Sequence, residues 1–226
     1  MTTQNTGRVL LLSSDDEPTT DLEDELAGAG FDVRRCHRAG SPAFPCNGLG
    51  GETCPLALGG GVDVVLDVRQ HPWPAPTMRE IGVICALRAA VPVVVVSRHG
   101  HPFEAWATTT LYPDADVLAG MRQALHDSLA PHRRAIGDAV RAVLEVHGYG
   151  ESPFIVDVER RQGRVRVSIG LDVPDEIHGM VATRSAVALR GLDRNATALE
   201  IEVVPLGPRE VAVAGGATDA PGGDRT

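Results

Sequence analysis

The chain has 226 residues, 43% of them hydrophobic, and a formal net charge of −9. That length suits one large domain or two ordinary ones with a real core. It holds no apolar run of membrane-span length, and Met1 to Gly7 is polar, without the charged-then-apolar order of a secretion signal, so a cytoplasmic protein is expected. The dispersed acidity argues against nucleic acid as a partner, because a phosphate backbone needs a positive surface. All 21 basic residues are arginine, which cannot be deprotonated near neutral pH. Schiff-base chemistry, pyridoxal phosphate and a P-loop lysine are therefore excluded.

In chain order, Arg8–Ser13 (RVLLLS) is a short buried strand. Asp15, Asp16, Glu17 and Pro18 open a helix that Gly30 stops, with acids at its positive end. Phe31–Arg35 is a second strand. Cys36 to Gly61 is irregular and rich in glycine and proline. Val62–Val68 (VDVVLDV) is a third strand, Thr77–Ala90 a helix, Val91–Ser97 (VPVVVVS) a fourth strand, and Asp114 to about Ala130 a further helix. Apolar strands alternating with helices predict a doubly wound α/β domain over 1–130, its parallel sheet covered on both faces.

Beyond residue 130 the pattern changes. Arg133–His147 is an amphipathic helix with Ile136, Ala139, Val140, Val143 and Leu144 on one side. Phe154–Glu159 and Arg164–Leu171 alternate around a hairpin turn at Arg161-Gln162-Gly163. Pro174 to about Gly191 is a helix and Ala198–Val204 a last strand. This αββαβ order predicts a small α+β domain over 131–206, followed by a disordered tail at 207–226. An open sheet face or edge suits a protein partner or a homodimer through this domain.

The segments RVLLLSSDDEP, VDVVLDV and LRAAVPVVVVS make the first 130 residues resemble a response-regulator receiver domain, which is flavodoxin-like. The resemblance implies an acidic pair at Asp15 and Asp16, a phosphate acceptor at Asp67 and a hydroxyl at Ser97. The same family ends its fifth strand with a lysine, and this chain has none. Asp63 and Asp67 enclose three apolar residues where the family has four, and cysteines stand where its second helix would lie. Acyl-phosphate formation needs a metal on the acidic pair and a cation on the transferred group. The resemblance is therefore to a receiver without its phosphoryl-transfer parts, and Asp15 and Asp16 equally serve as helix N-terminal charge. The C-terminal element order loosely resembles BON-type, alkaline-shock-type and iron–sulfur-assembly accessory domains.

Cys36, Cys46 and Cys54 fall within nineteen residues, and Cys85 shares a helix face with Met78 and Ile81. In a receiver topology the cysteine loop would lie beside that helix. A long glycine- and proline-rich loop inside a compact domain is unusual unless something orders it. Four thiolates suit an iron–sulfur cluster, with zinc as the alternative and His37 as a substitute ligand. The spacing lacks the paired CxxC of zinc ribbons and the ferredoxin pattern. A thiol switch and inert cysteines are the competing readings of this loop. His71, His99 and His101 fall in loops after strands, where α/β folds place ligands. The expected function is a non-enzymatic regulatory or sensory protein responding to redox or metal state; a structural interaction module and a redox enzyme or cluster carrier are the alternatives.

The missing lysine generates a direct test. Incubation with acetyl phosphate and Mg²⁺ is expected to leave the intact mass unchanged, and a stable gain of one phosphate on Asp67 would contradict the loss of phosphoryl transfer.

Overall fold

A computed structural model describes residues 7–14, 19–37, 41–57, 61–72, 75–193 and 196–206. Asp15, Asp16 and the 207–226 tail lie outside the described residues. The chain divides into two compact units. The first holds residues 1–130 with 159–165 and 195–198; the second holds 131–158, 166–194 and 199–226.

The first unit is built on five strands: β1 (Gly7–Ser13), β2 (Phe31–Arg34), β3 (Val64–Arg69), β4 (Val93–Ser97) and β5 (Thr109–Leu111). All neighbouring pairs are parallel, in the order β2-β1-β3-β4-β5. This is the flavodoxin-like order, whose reversal lies between β1 and β3. The three-residue β5 is an element that the sequence pattern did not reveal, because Thr109 and Thr110 break the apolar run that marked β1, β3 and β4. A parallel sheet is stable only when both faces are covered, and period two sorts each strand between them. On one face Val9, Leu11, Val64, Leu66, Val94 and Val96 meet α1 (Thr20–Gly28) and α3 (Val117–Ser128) through Leu26, Met121 and Ala124. On the other, Leu10, Leu12, Val65, Val93 and Val95 meet Val83 and Ala86 of α2 (Ile81–Arg88), with Cys36 and Phe103.

Two helices are shorter than the pattern predicts. α1 begins only at Thr20, and the predicted 77–90 helix is a 3-10 turn at Met78–Glu80 leading into α2. The turn is set by Glu80, whose carboxylate accepts a hydrogen bond from the Thr77 backbone N–H at 2.7 Å. Gly30, at φ +90°, ends α1 in the left-handed region, as its position suggests.

The second unit carries α4 (Ala130–Val146), β6 (Phe154–Arg161), β7 (Arg164–Leu171), α5 (Asp175–Leu192) and β8 (Ala198–Val204), its sheet ordered β6-β7-β8. Val165, Val167, Ile169 and Leu171 are buried on β7, while Arg164 and Arg166 are exposed. Ile136, Val140, Val143 and Leu144 of α4 and Ile177, Val181 and Leu189 of α5 are buried as well. His132 Nε2 and Asp193 Oδ2 meet at 3.1 Å.

The β6–β7 hairpin turns through Gln162 (φ +52°) and Gly163 (φ +74°), the pair of positive angles that a two-residue hairpin with correct strand twist requires. Its tip groups with the first unit, where the buried Asp63 receives it. The Asp63 carboxylate accepts N–H bonds from Arg8 (2.8 Å), Gln162 (2.6 Å) and Gly163 (2.9 Å). Replacing Asp63 with alanine strands three backbone donors at once. Asp63→Ala is expected to destabilise the protein by about 3 kcal/mol in urea unfolding, well beyond a surface substitution.

Candidate metal centre

β2 ends at Arg34, and the chain then enters the loop that replaces a helix between β2 and β3. Cys36 is buried against α2, and Gly82 makes this possible: a Cβ there would stand 3.1 Å from the Cys36 Sγ and 3.0 Å from Leu12. The Asn47 N–H donates to the Cys36 carbonyl at 2.8 Å, folding the loop back on its own start. Leu49 and Gly50 donate to the Cys46 carbonyl, and Ala57 to that of Cys54, so each cysteine opens a tight turn. Gly48 lets Cys54 close in, since a Cβ at 48 would lie 2.7 Å from the Cys54 Cβ. The Arg79 guanidinium donates to the Ser41 carbonyl at 3.0 Å, fastening the loop to the segment before α2.

Cys85 lies exposed on α2. The four free thiols are near enough to act on one another. Burial pushes the Cys36 thiol up to about 12, with further upward pressure from Cys54, Cys46 and Cys85. Burial also raises Cys85, again with Cys54 and Cys46 adding to it. His37 is buried beside them, and neither ring nitrogen has a hydrogen-bond partner among the described residues. Burial, then the nearby Arg79, lowers its pKa and holds the imidazole neutral. Buried polar groups are rarely left without partners, so four thiols and an unsatisfied imidazole form a set of soft donors fit for a metal.

Among the described residues, the trio whose ligand atoms all lie within 4.8 Å of one another is a different one: Asp67, Glu80 and His101. Among the described residues, no three of the cysteine sulfurs come that close to one another. A single tetrahedral zinc with Zn–S of about 2.3 Å would need them about 3.8 Å apart.

The Asp67 trio is built by β3 and the segments around it. Asp67 lies between Leu12 and Val95 in the sheet register, and Arg69 lies opposite Ser97. Arg69 and Glu80 form a fully buried two-pronged ion pair, Nε–Oε1 at 2.5 Å and Nη2–Oε2 at 2.7 Å, with Nη2 also donating to the Ala75 carbonyl. His101 Nε2 is 3.4 Å from Asp67 Oδ2 and 3.8 Å from Glu80 Oε1. These spacings match metal ligands, but the protons do not. The Phe103 N–H donates to His101 Nδ1 at 3.2 Å, so the neutral ring carries its proton on Nε2, the very atom a metal would need. Glu80 is already engaged by Arg69 and Thr77. The trio is a buried acid–imidazole pair beside an ion pair.

Position by position, the receiver resemblance meets this geometry as follows. Arg69, rather than Asp67, stands at the strand end opposite Ser97. Asp67 is two residues deeper, with no exposed surface and no hydrogen-bond partner for either oxygen. Burial, reinforced by Glu80, raises its pKa well above the usual carboxylate range against the opposing Arg69. The Ser97 hydroxyl is committed locally, donating to the Gly100 carbonyl and accepting from the His99 N–H. The Arg69–Glu80 pair escaped sequence reasoning. Its one signal was an arginine at the end of an otherwise apolar strand, eleven residues before an acid at a helix start.

The fold and its two clusters define an α/β protein of flavodoxin-like topology joined to a small α+β unit. Comparison with known protein families and with curated proteins finds no match for this chain.

The acid–imidazole pair generates a pH test. Burial lowers the His101 pKa to about 4, so below its ordinary 6.5 the unfolded chain binds a proton that the folded one refuses. His101 therefore makes stability rise with pH from 4 to 6.5. Asp67 does the reverse: folded, it keeps a proton the unfolded chain loses near 3.8, so its contribution falls as pH rises toward its raised value. In the intact protein the two slopes oppose one another. Urea unfolding at several pH values is expected to show Asp67→Asn gaining stability from pH 4 to 6.5, and His101→Asn losing it, each by at most about 1.4 kcal/mol per pH unit.

Proposed function

We propose that this protein is a non-enzymatic regulatory or sensory protein. In this reading its first unit keeps a receiver frame without phosphoryl transfer and binds a metal centre through Cys36, Cys46, Cys54 and Cys85. What supports the reading is the electrostatic influence of Cys46, Cys54 and Cys85 on Cys36, together with the buried His37, whose ring nitrogens lack a partner among the described residues. An iron–sulfur cluster is favoured over zinc because the cysteines are widely spaced along the chain and no three of their sulfurs lie within the 4.8 Å of one another that a compact single-ion site brings together. The loss of receiver chemistry is supported by Asp67, sealed from water with its pKa pushed up by burial and so out of reach of a phosphate donor, and by the lack of lysine.

The residues have a definite task in such a site. A thiol raised to about 12 is a poor nucleophile and a poor redox sensor by itself, since the thiolate is the reactive species. A bound metal would supply the positive charge that holds the thiolates deprotonated, so loading releases protons and is favoured by higher pH. Gly48 and Gly82 provide the close approach, the turns after Cys46 and Cys54 set the loop, and Arg79 ties it down. Without a metal the loop rests on a few backbone bonds, and burial keeps the Cys36 and Cys85 thiols protonated and without a ligand to hold. It is therefore the element whose order would report loading, and the second unit would present a surface to a protein partner.

Protein purified without oxygen is expected to be coloured and to contain iron and acid-labile sulfide in equal amounts. Cys36→Ser and Cys85→Ser should each lose most of both while keeping the wild-type circular dichroism. Colourless protein with neither iron nor zinc would overturn the reading, and zinc alone would overturn the preference for a cluster.

A further inference from the structure

The second unit contains a feature that its own core does not explain. α5 buries Ile177, Val181, Ser185 and Leu189 on one side. Its opposite side, with part of α4, lines an apolar groove of about 850 Å³. Val187 there is 62% exposed and Val146 of α4 is 81% exposed. A surface helix ordinarily carries one apolar stripe, facing its own core. A second stripe on the outer side marks a contact surface.

The groove also carries a charge pattern that repeats itself under rotation. Glu176 and Arg184 both line it, each four residues from Met180, one before and one after. Both are exposed, and neither has an ion-pair partner within the described residues. Gly179, next to the midpoint, has open space where a Cβ would point. Glycine is unfavourable inside a helix, and here its bare backbone lets another helix approach closely.

We propose that α5 forms a two-fold symmetric interface with the α5 of a second copy of this chain, the helices antiparallel and crossing at Met180. A two-fold axis through Met180 sets Glu176 of one copy against Arg184 of the other, and the reverse pair follows by symmetry. The same surface on both copies is then self-complementary, as closed dimers require. A parallel crossing would put Glu176 against Glu176 and Arg184 against Arg184, so the charges select the antiparallel one. The exposed valines fill the groove on either side of the axis. This proposal rests on the partner-binding part of the functional reading and not on the metal centre.

Sedimentation equilibrium of the full chain tests it, run on anaerobically prepared and on chelator-treated protein so that a failed metal analysis leaves the result intact. The wild type is expected to dimerise. Glu176→Arg and Arg184→Glu should each weaken dimerisation at least about tenfold. An equimolar mixture of those two variants should restore the dimer, because both cross-pairs become complementary again, and the double variant should associate like wild type. A wild type that stays monomeric, a dimer indifferent to the swaps, or a mixture that does not reassociate would overturn the proposal. A monomer that dimerises only after removal of residues 207–226 would also overturn it and assign the groove to the chain's own tail.

Discussion

The buried pair between Arg69 and Glu80 is the constraint on which the first unit depends. Both side chains are almost wholly out of water, so neither charge can survive without the other, and removing one partner of such a pair costs about 3–5 kcal/mol. The pair joins the end of β3 to the start of α2. Glu80 is bonded by the Arg69 guanidinium and the Thr77 backbone together, which fixes where the helix begins. Everything α2 carries toward the cysteine loop is thereby placed: Gly82 beneath Cys36, then Cys85 on the exposed side.

The same pair shapes the buried polar site beside it. Arginine at the strand end needs an acid, and Glu80 supplies it from the neighbouring turn. The carboxylate one layer below is left in apolar surroundings beside a second acid, and both push its pKa upward. His101 keeps its Nδ1 for the Phe103 backbone N–H, while its Nε2 lies 3.4 Å from Asp67 without a hydrogen bond to it. The soft donors lie instead in the segment that would be a helix, where glycine and proline allow turns a helix forbids.

Much of the fold was legible in the sequence. Strands β1, β3 and β4 announced themselves by short apolar runs, and β8 matched its predicted bounds, because burial on a sheet imposes a pattern with little freedom. The turn at Gln162-Gly163 followed from glycine chemistry. The cysteines could be named from their spacing, since metal-type side chains are rare enough for clustering to signal something. The short β5 was not legible, because a three-residue edge strand with two threonines lacks an apolar signature. The first turn of the predicted 77–90 helix gave way to a 3-10 turn in which the Glu80 carboxylate bends back to the Thr77 backbone N–H.

The sequence by itself determined the alternation of elements, the absence of any lysine chemistry and the identity of the soft donors, because these depend on composition and on short-range periodicity. Only the tertiary structure decided that Arg69 rather than Asp67 stands opposite Ser97, that Asp67 is sealed from water with its pKa pushed up by burial, and that Cys36 is buried while Cys85 is exposed. It also decided that Asp63 clamps a hairpin about a hundred residues away in the chain. These facts turn on strand register, burial and contacts between distant segments, and a carboxylate's state follows from what surrounds it in space rather than from its neighbours in the chain.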